Sequence, residues 1–449
     1  MTEEQSGVTG LVEHLFRSRA AQIVAYLARL FGPEHLDLAE EVVQEALVRA
    51  LQQWPYSGVP ANPGGWLFRV AKNAALDALR RHAVFHEKAG AIAEALRSAA
   101  GEAGEPEVDA ELRDAELALI FMCCHPALPR ESRIALSLKV GCGFGVAEIA
   151  RAFLAEESAV AQRLVRAKRQ IRELGLRLEL PGRDELAPRL DSVLEVVYLL
   201  FNEGYAAHAG DALVRPDLCA EALRLGRLVA DSPLGAPRAH ALVALMAFLA
   251  ARLPARVDAR GELVLLEEQD RRLWDERLVA VGFRRLERSA EGPAMSPYHL
   301  EAAIAAVHAR ATGPADTDWA AILELYDQLL ALKPSPVVAL NRAVALAKVR
   351  GADAGLAALQ AIEGEPALRG YHLLPAARAR LLEEAGQFAA AAACYREALA
   401  CRASEPERRL LRRRLAECER RTEPAGARAG HRVPGRTARP RRSAPLRAS

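Results

Sequence analysis

The stretch from Gly143 to Arg172, GFGVAEIARAFLAEESAVAQRLVRAKRQIR, carries two helical periods separated by a short break. Val146, Ile149, Ala150 and Phe153 recur at three- and four-residue steps and define one face of a short helix, with Ala150 small enough for a close helix crossing. Leu154-Ala155-Glu156 supplies a turn. A second helix then directs Val160, Leu164, Val165 and Ala167 or Ile171 inward. Its outer face offers Ser158, Gln162, Arg163, Arg166, Lys168, Arg169 and Arg172. Hydroxyl, amide and guanidinium groups near the start of such a helix read base edges in the major groove, and the basic cluster further along suits phosphates. These are candidate DNA-binding residues. A helical hairpin with a solvated basic face is the alternative, and the turn lacks the glycine often found in such motifs.

Upstream, residues 11–82 form a set of amphipathic helical patterns. Leu11-Val12, Leu15-Phe16, Ile23-Val24, Leu27 and Leu30-Phe31 recur at helical spacing until Gly32-Pro33 breaks the run. A second helix is expected from Leu36 to Trp54. A loop rich in Pro and Gly follows from Pro55 to Gly65. In it, Asn62 and Pro63 suit the cap and first position of a third helix reaching about His82. On the second helix Glu41, Gln44, Glu45 and Arg49 form a polar stripe beside Val42, Val43, Ala46 and Leu47. Such a stripe pairs with a partner helix or is simply solvated. On the third, Arg69, Lys72, Asn73, Arg80 and Arg81 supply charge and amide groups, and Trp54, Tyr56 and Trp66 flank the loop. Basic residues beside an aromatic-flanked loop suit single-stranded nucleic acid, with Trp66 equally at home in a core.

At 449 residues the chain exceeds one compact core. Aromatics are only 5% while Ala and Leu abound, which favours an all-α fold. The net charge of +2 conceals a basic end: seven arginines after Thr422 oppose a single acid, Glu423. The body is near neutral, so any nucleic-acid contact must come from local basic faces. Seven Cys are scattered without a C-x-x-C pair, which argues for reduced thiols in the cytosol. Met122-Cys123-Cys124-His125-Pro126 lacks the ligand spacing of a structural zinc site, so no metal and no cofactor is expected. No uninterrupted apolar stretch reaches the roughly 18 residues needed to span a bilayer, and Met1–Gly10 is polar. A cytoplasmic protein with no membrane partner is the expectation.

Residues 83–110, with the small, polar and acidic run from Ser98 to Pro106, read as a linker with some helical content. A second globular unit covers 111–178. Pro181-Gly182 precedes a long helical region, 185–420, and a basic tail, 421–449, carries no apolar periodicity, the pattern of disorder. Within the long region Trp319, Ile322, Tyr326 and Leu329-Leu330 match Phe388, Ala391, Tyr395 and Ala398-Leu399 offset for offset. The blocks start 69 residues apart, close to twice the 34-residue tetratricopeptide period. An intervening repeat near 353–365 is degenerate, and 185–310 is helical with no assignable repeat. Glu203, His208, Glu267, Glu268, Asp270 and His299 form no Ser/His/Asp set, phosphate loop or H-E-x-x-H pair, so no enzyme is expected. Glu267, Glu268 and Asp270 with Arg271 and Arg272 suit a salt-bridged face docked on another domain.

Residues Asp37 to Leu51 resemble region 2.2 of the sigma-70 superfamily, the helix that binds the polymerase clamp. Gly65 to Arg81 resembles regions 2.3 and 2.4, which open and hold the promoter −10 element, and 111–174 resembles region 4, which reads the −35 element. Their order and spacing resemble the ECF group, whose members join domains 2 and 4 by a linker. Sigma domain 2 is then the helical bundle 11–82 and sigma domain 4 the helix-turn-helix 111–178. The extension 185–420 resembles a TPR-like α-solenoid, a likeness that includes Phe201-Asn202-Glu203-Gly204-Tyr205 and Leu265 to Trp274. The resemblance implies core RNA polymerase, through its β′ clamp helices, as the partner of Glu41, Gln44, Glu45 and Arg49. It implies promoter DNA, double-stranded and melted, as the partner of the basic residues, with the Pro55–Asn62 loop holding a flipped −10 base. It also implies an extension that tunes activity in cis, with an unknown signal or protein ligand. A helix-turn-helix regulator, or a TPR scaffold, is the alternative.

Overall fold

The computed structural model describes residues 19–81, 105–153, 155–205, 215–259 and 261–422. The expectations placed on 11–18, on most of the linker, on Leu154, on His208 and on the tail beyond Thr422 lie outside the described residues. Every regular element among the described residues is helical.

Helix α1 (19–31) buries Ile23, Val24 and Leu27. Helix α2 (Leu36–Ser57) buries Ala39, Val42, Val43, Ala46, Leu47 and Trp54. It runs three residues past the expected end, through Pro55, and stops at Gly58, whose φ of 80° suits a residue without a Cβ. Helix α3 (Pro63–Arg81) opens as its sequence requires: Asn62 Oδ1 accepts the Gly65 N–H at 2.8 Å, with Pro63 in the first turn. Leu67, Phe68, Ala71 and Ala75 face inward, and Phe68 meets Tyr26 edge-on at 5.1 Å.

Helix α4 (Glu105–Cys123) leads into α5 (Arg130–Leu136), a π-helical turn at Ser137–Gly141, α6 (Val146–Ala152) and α7 (Glu157–Glu173). Helices α6 and α7 are the helix-turn-helix. Val160, Leu164, Ala167 and Ile171 are buried as the spacing requires, whereas Val165, expected inward, is 66% exposed. The 3.6-residue period explains this: Leu164 and Ala167 fix the buried face, and position 165 lies about 100° from Leu164.

Beyond Pro181 come α8 (Arg183–Tyr205), α9 (Pro216–Ala230), α10 (Pro237–Ala251), α11 (Glu276–Ser289), α12 (Pro297–Arg310) and α13 (Trp319–Leu332). Pro237–Ala255 is apolar and long enough to cross a bilayer by composition alone, but 72% of it is buried within the protein. It is the core helix around which α8, α9, α11 and α12 pack. Between α10 and α11 the chain makes 3-10 turns at Leu266–Glu268 and Arg271–Leu273 rather than a helix. Of the acidic and basic cluster there, Asp270 and Arg272 pair locally. Arg271 reaches away to the His308 and Ala311 carbonyls at the end of α12.

One continuous set of buried side chains runs from Ala20 to Ala306. Both sequence units and the first half of the extension therefore share a core. The chain divides into two compact units after Val338. The second contains most of α14 (Pro336–Arg350), then α15 (Ala352–Ala361), α16 (Leu373–Glu384), α17 (Phe388–Ala400) and most of α18 (Glu405–Thr422). Here Ala379, Leu382, Ala391, Tyr395 and Ala398 form one core, and Leu340, Ala343, Leu359 and Leu381 another. These stacked helical hairpins accord with a solenoid, and the Phe388 block is the inward face of α17.

Candidate nucleic-acid interface

On α7, Ser158, Gln162, Arg166, Arg169 and Arg172 are exposed on the face opposite the core, and Arg163 is half-buried. Arg166 Nε donates to the Gln162 carbonyl at 3.3 Å and Arg169 pairs with Glu173 at 2.6 Å, exposed contacts that a phosphate could displace at little cost. Lys168 is placed differently. Its ammonium lies 2.5 Å from both Asp37 Oδ1 and Glu40 Oε2 on α2, with its side chain only 14% exposed. Burial pulls this ammonium down, but Glu40 and Asp37 more than offset it and hold Lys168 above the usual lysine range. While that contact stands, Lys168 is not offered to DNA.

On α3, Arg69 and Asn73 are exposed. Lys72 is buried, with Nζ 6.0 Å from the Phe68 ring centroid, and burial lowers its pKa. Arg80 and Arg81 belong to α3, and their side chains lie outside the described residues. Trp54 and Trp66 meet edge-on at 5.4 Å, Trp54 buried and Trp66 half-buried, which makes them a core pair. Tyr56, at 88% exposure, is the aromatic that the last turn of α2 presents to solvent just before the loop.

On α2, Glu41, Gln44, Glu45 and Arg49 are all exposed, with Arg49 and Glu45 paired at 2.5 Å. Val48 and Leu51 are exposed beside them. Two unsheltered aliphatic side chains within a charged stripe give a face suited to a partner helix.

Cys123 and Cys124 are buried, and Cys124 Sγ sits 3.2 Å from Ser137 Oγ. Burial pushes both thiols up, Cys124 to about 11, and pushes His125 down. No group of three or more metal-ligating side chains occurs among the described residues.

Two contacts escaped the sequence reading. The first is the Lys168 clasp; its partners lie 131 and 128 residues away. The second is Glu116 on α4, whose side chain has no exposure. Glu116 Oε2 accepts from Gln22 Nε2 on α1 at 3.0 Å, and Oε1 lies 2.6 Å from Arg224 Nη1 on α9. Arg224 also pairs with Glu221. Burial pushes the Glu116 carboxyl up against the pull of Arg224 and Gln22. An acid at an inward position of an apolar helix, like Glu116 between Ala115 and Leu117, is the only sequence signal for such a junction.

A basic outward helix beside a helical bundle with a solvent-facing loop defines a DNA-binding protein of the helix-turn-helix class. Comparison with known proteins sharpens this. Residues 15–84 match sigma-70 region 2, residues 118–171 match sigma-70 region 4, and residues 189–290 match a family of unknown function, DUF6596. An uncharacterized protein of Rhizobium meliloti (strain 1021) is 40% identical over 410 residues, covering 91% of this chain and 96% of that relative. No solved structure matches. The chain belongs to the sigma-70 superfamily of RNA polymerase sigma factors, in one family with the Rhizobium protein.

Proposed function

We propose that this sigma factor is of the ECF type and binds the polymerase clamp through the exposed face of α2, with Glu41, Gln44, Glu45 and Arg49 as polar contacts and Val48 and Leu51 as apolar ones. In this reading α7 reads the −35 element. Ser158 and Gln162 approach base edges, and Arg163, Arg166, Arg169 and Arg172 take phosphates. Lys168 joins them once released from α2. Arg69, Asn73, Arg80 and Arg81 of α3, with Tyr56 at the end of α2 and the loop from Gly58 to Asn62, hold the melted −10 element. Lys72 supports Phe68 from within. The region beyond Leu180 governs these activities in cis and ends in TPR-like repeats.

The observation that carries the reading is the exposure of the α2 stripe. A regulator using only its helix-turn-helix has no need of that face. Charge reversal of Gln44 and Glu45 to Lys in the full chain tests it. Core polymerase binding and run-off transcription are both expected to fall at least tenfold while affinity for a −35 duplex is unchanged. Core binding equal to wild type would leave a plain helix-turn-helix regulator. A chain ending near Leu180 is a poor test, because α8 supplies Leu190, Val193, Val197 and Phe201 to the shared core.

A further inference from the structure

A cavity of about 700 Å³ opens where α1, α4 and α9 meet. Its size falls in the range of small-molecule sites. Each wall contributes a guanidinium: Arg19 from α1, Arg113 from α4, and Arg224 and Arg227 from α9. Three acids share the lining, but two of them are already engaged. Glu116 is held by Arg224 and Gln22, and Asp231 accepts from Arg285 Nη2 at 2.7 Å with Arg288 3.5 Å away. Arg113 and Arg227 form no ion pair with a described residue. Arg227 is half-buried, and burial together with the neighbouring Arg285 and Arg284 lowers its pKa despite Asp231. The third acid, Asp114, stands beside Arg113, so four guanidiniums face three carboxylates and the lining keeps an excess of one positive charge in a roomy cavity.

We infer that this cavity is a binding site for a small, multiply charged anion, one bearing phosphate or several carboxylates, gripped by Arg113 and Arg227. Guanidinium forks match either group through paired N–H donors. The anion fills space between an α1 that belongs to region 2, an α4 that runs into region 4, and an α9 that belongs to the extension. It binds best when all three are packed together, so by linkage it holds them together. The regulatory consequence rests on the sigma-factor reading above: a ligand that keeps regions 2 and 4 packed lowers promoter engagement. The binding itself does not rest on that reading.

Calorimetric titration and thermal unfolding of the full chain with inorganic phosphate, and separately with citrate, at ionic strength matched by NaCl, test the site without polymerase. Saturable binding with a raised unfolding midpoint is expected from at least one of the two. Phosphate alone would identify a phosphorylated ligand, and citrate alone a polycarboxylate. R113Q/R227Q is expected to weaken that binding at least tenfold. R113Q, a change at an exposed position, should weaken it severalfold without affecting folding, and R177Q, remote and exposed, should leave it unchanged. No saturable binding of either anion, or equal affinity in wild type and R113Q/R227Q, overturns the site. Transcription by saturated protein then reads the consequence separately: binding without a fall in transcription retains the site and removes its regulatory role.

Discussion

Lys168 shows how far one side chain departs from what its helix period assigns. By spacing it belongs to the outer, basic face of α7, and the neighbouring arginines do lie there. Its ammonium instead closes on Asp37 and Glu40, which no local pattern could indicate because the partners are set by the packing of distant segments. Replacing the partners rather than the lysine isolates its latent role. D37N/E40Q is expected to free one cation on the face proposed to read DNA. Affinity for a −35 duplex should rise, and the slope of log K against log salt should steepen by about 0.9, the increment of one phosphate contact. Anisotropy titrations over a salt series would read this, and an unchanged slope would mean that Lys168 never reaches DNA. A second residue-scale effect is pH-dependent. Burial, with Arg252 and Arg271 nearby, pushes His308 down to about 4, and its ring meets Trp319 edge-on at 5.4 Å. The folded state thus holds this ring neutral where the unfolded chain, titrating near 6.5, takes a proton. Its stabilising contribution is present above about pH 6.5 and is lost as pH falls toward 4, of the order of 2–3 kcal/mol in all. His308→Phe keeps the ring contact and removes the proton site. Urea midpoints at pH 7 and pH 4.5 should fall less for this variant than for wild type, and equal losses would acquit His308.

Elements were legible wherever one face is buried and the other wet. The cap of α3, the inward set of α7 apart from Val165, and the Phe388 block of α17 all follow from local chemistry. The extension before α13 resisted the same treatment. Its central helix α10 is buried nearly all round, so no hydrophobic stripe exists to be read, and the repeat pattern has nothing to register on. Phe201 to Tyr205 shows what a conspicuous motif can mean there. Phe201 stacks on Tyr205, and the Arg256 guanidinium lies 3.7 Å from the Tyr205 ring centroid while donating to the Tyr205 carbonyl at 2.6 Å. Gly204 lets the start of α9 approach. A Cβ on it would lie 2.8 Å from the Cys219 nitrogen and 2.9 Å from the Arg215 oxygen, both backbone atoms that cannot swing aside. Gly204→Ala gains helix propensity, worth up to about 1 kcal/mol. It is nonetheless expected to destabilise by about 1–3 kcal/mol net, because overpacking against backbone outweighs that gain. The urea midpoint decides, and a stabilised variant would show that α8 and the start of α9 can move apart at no cost.

At the scale of the first compact unit, the single core from Ala20 to Ala306 ties region 2, region 4 and the first half of the extension into one body, with the Lys168 clasp and the Glu116 junction as its polar fasteners. That compactness conflicts with the work of a sigma factor. On the reading proposed above, the chain serves promoter elements named for positions −10 and −35, so about 25 base pairs apart, roughly 85 Å at 3.4 Å per step. A folded unit the size of Met1–Val338 has a radius of gyration of roughly 20 Å, too small for two readers packed together to serve both elements. If that reading holds, the two regions part, and polymerase and promoter contacts offset the cost of exposing their shared apolar faces. Sequence could name the two regions but not their closure, which is a property of long-range packing. Hydrogen exchange on the full chain, free and bound to core polymerase, tests the opening. In the complex, amides of α7 between Val160 and Ile171 and of α4 around Glu116 should exchange at least tenfold faster than amides of α17, normalised to the free protein. The exposed face of α2 should slow. Equal protection of the α4 and α7 amides before and after binding would mean that both regions engage polymerase without separating, and the closed core would then be the working form.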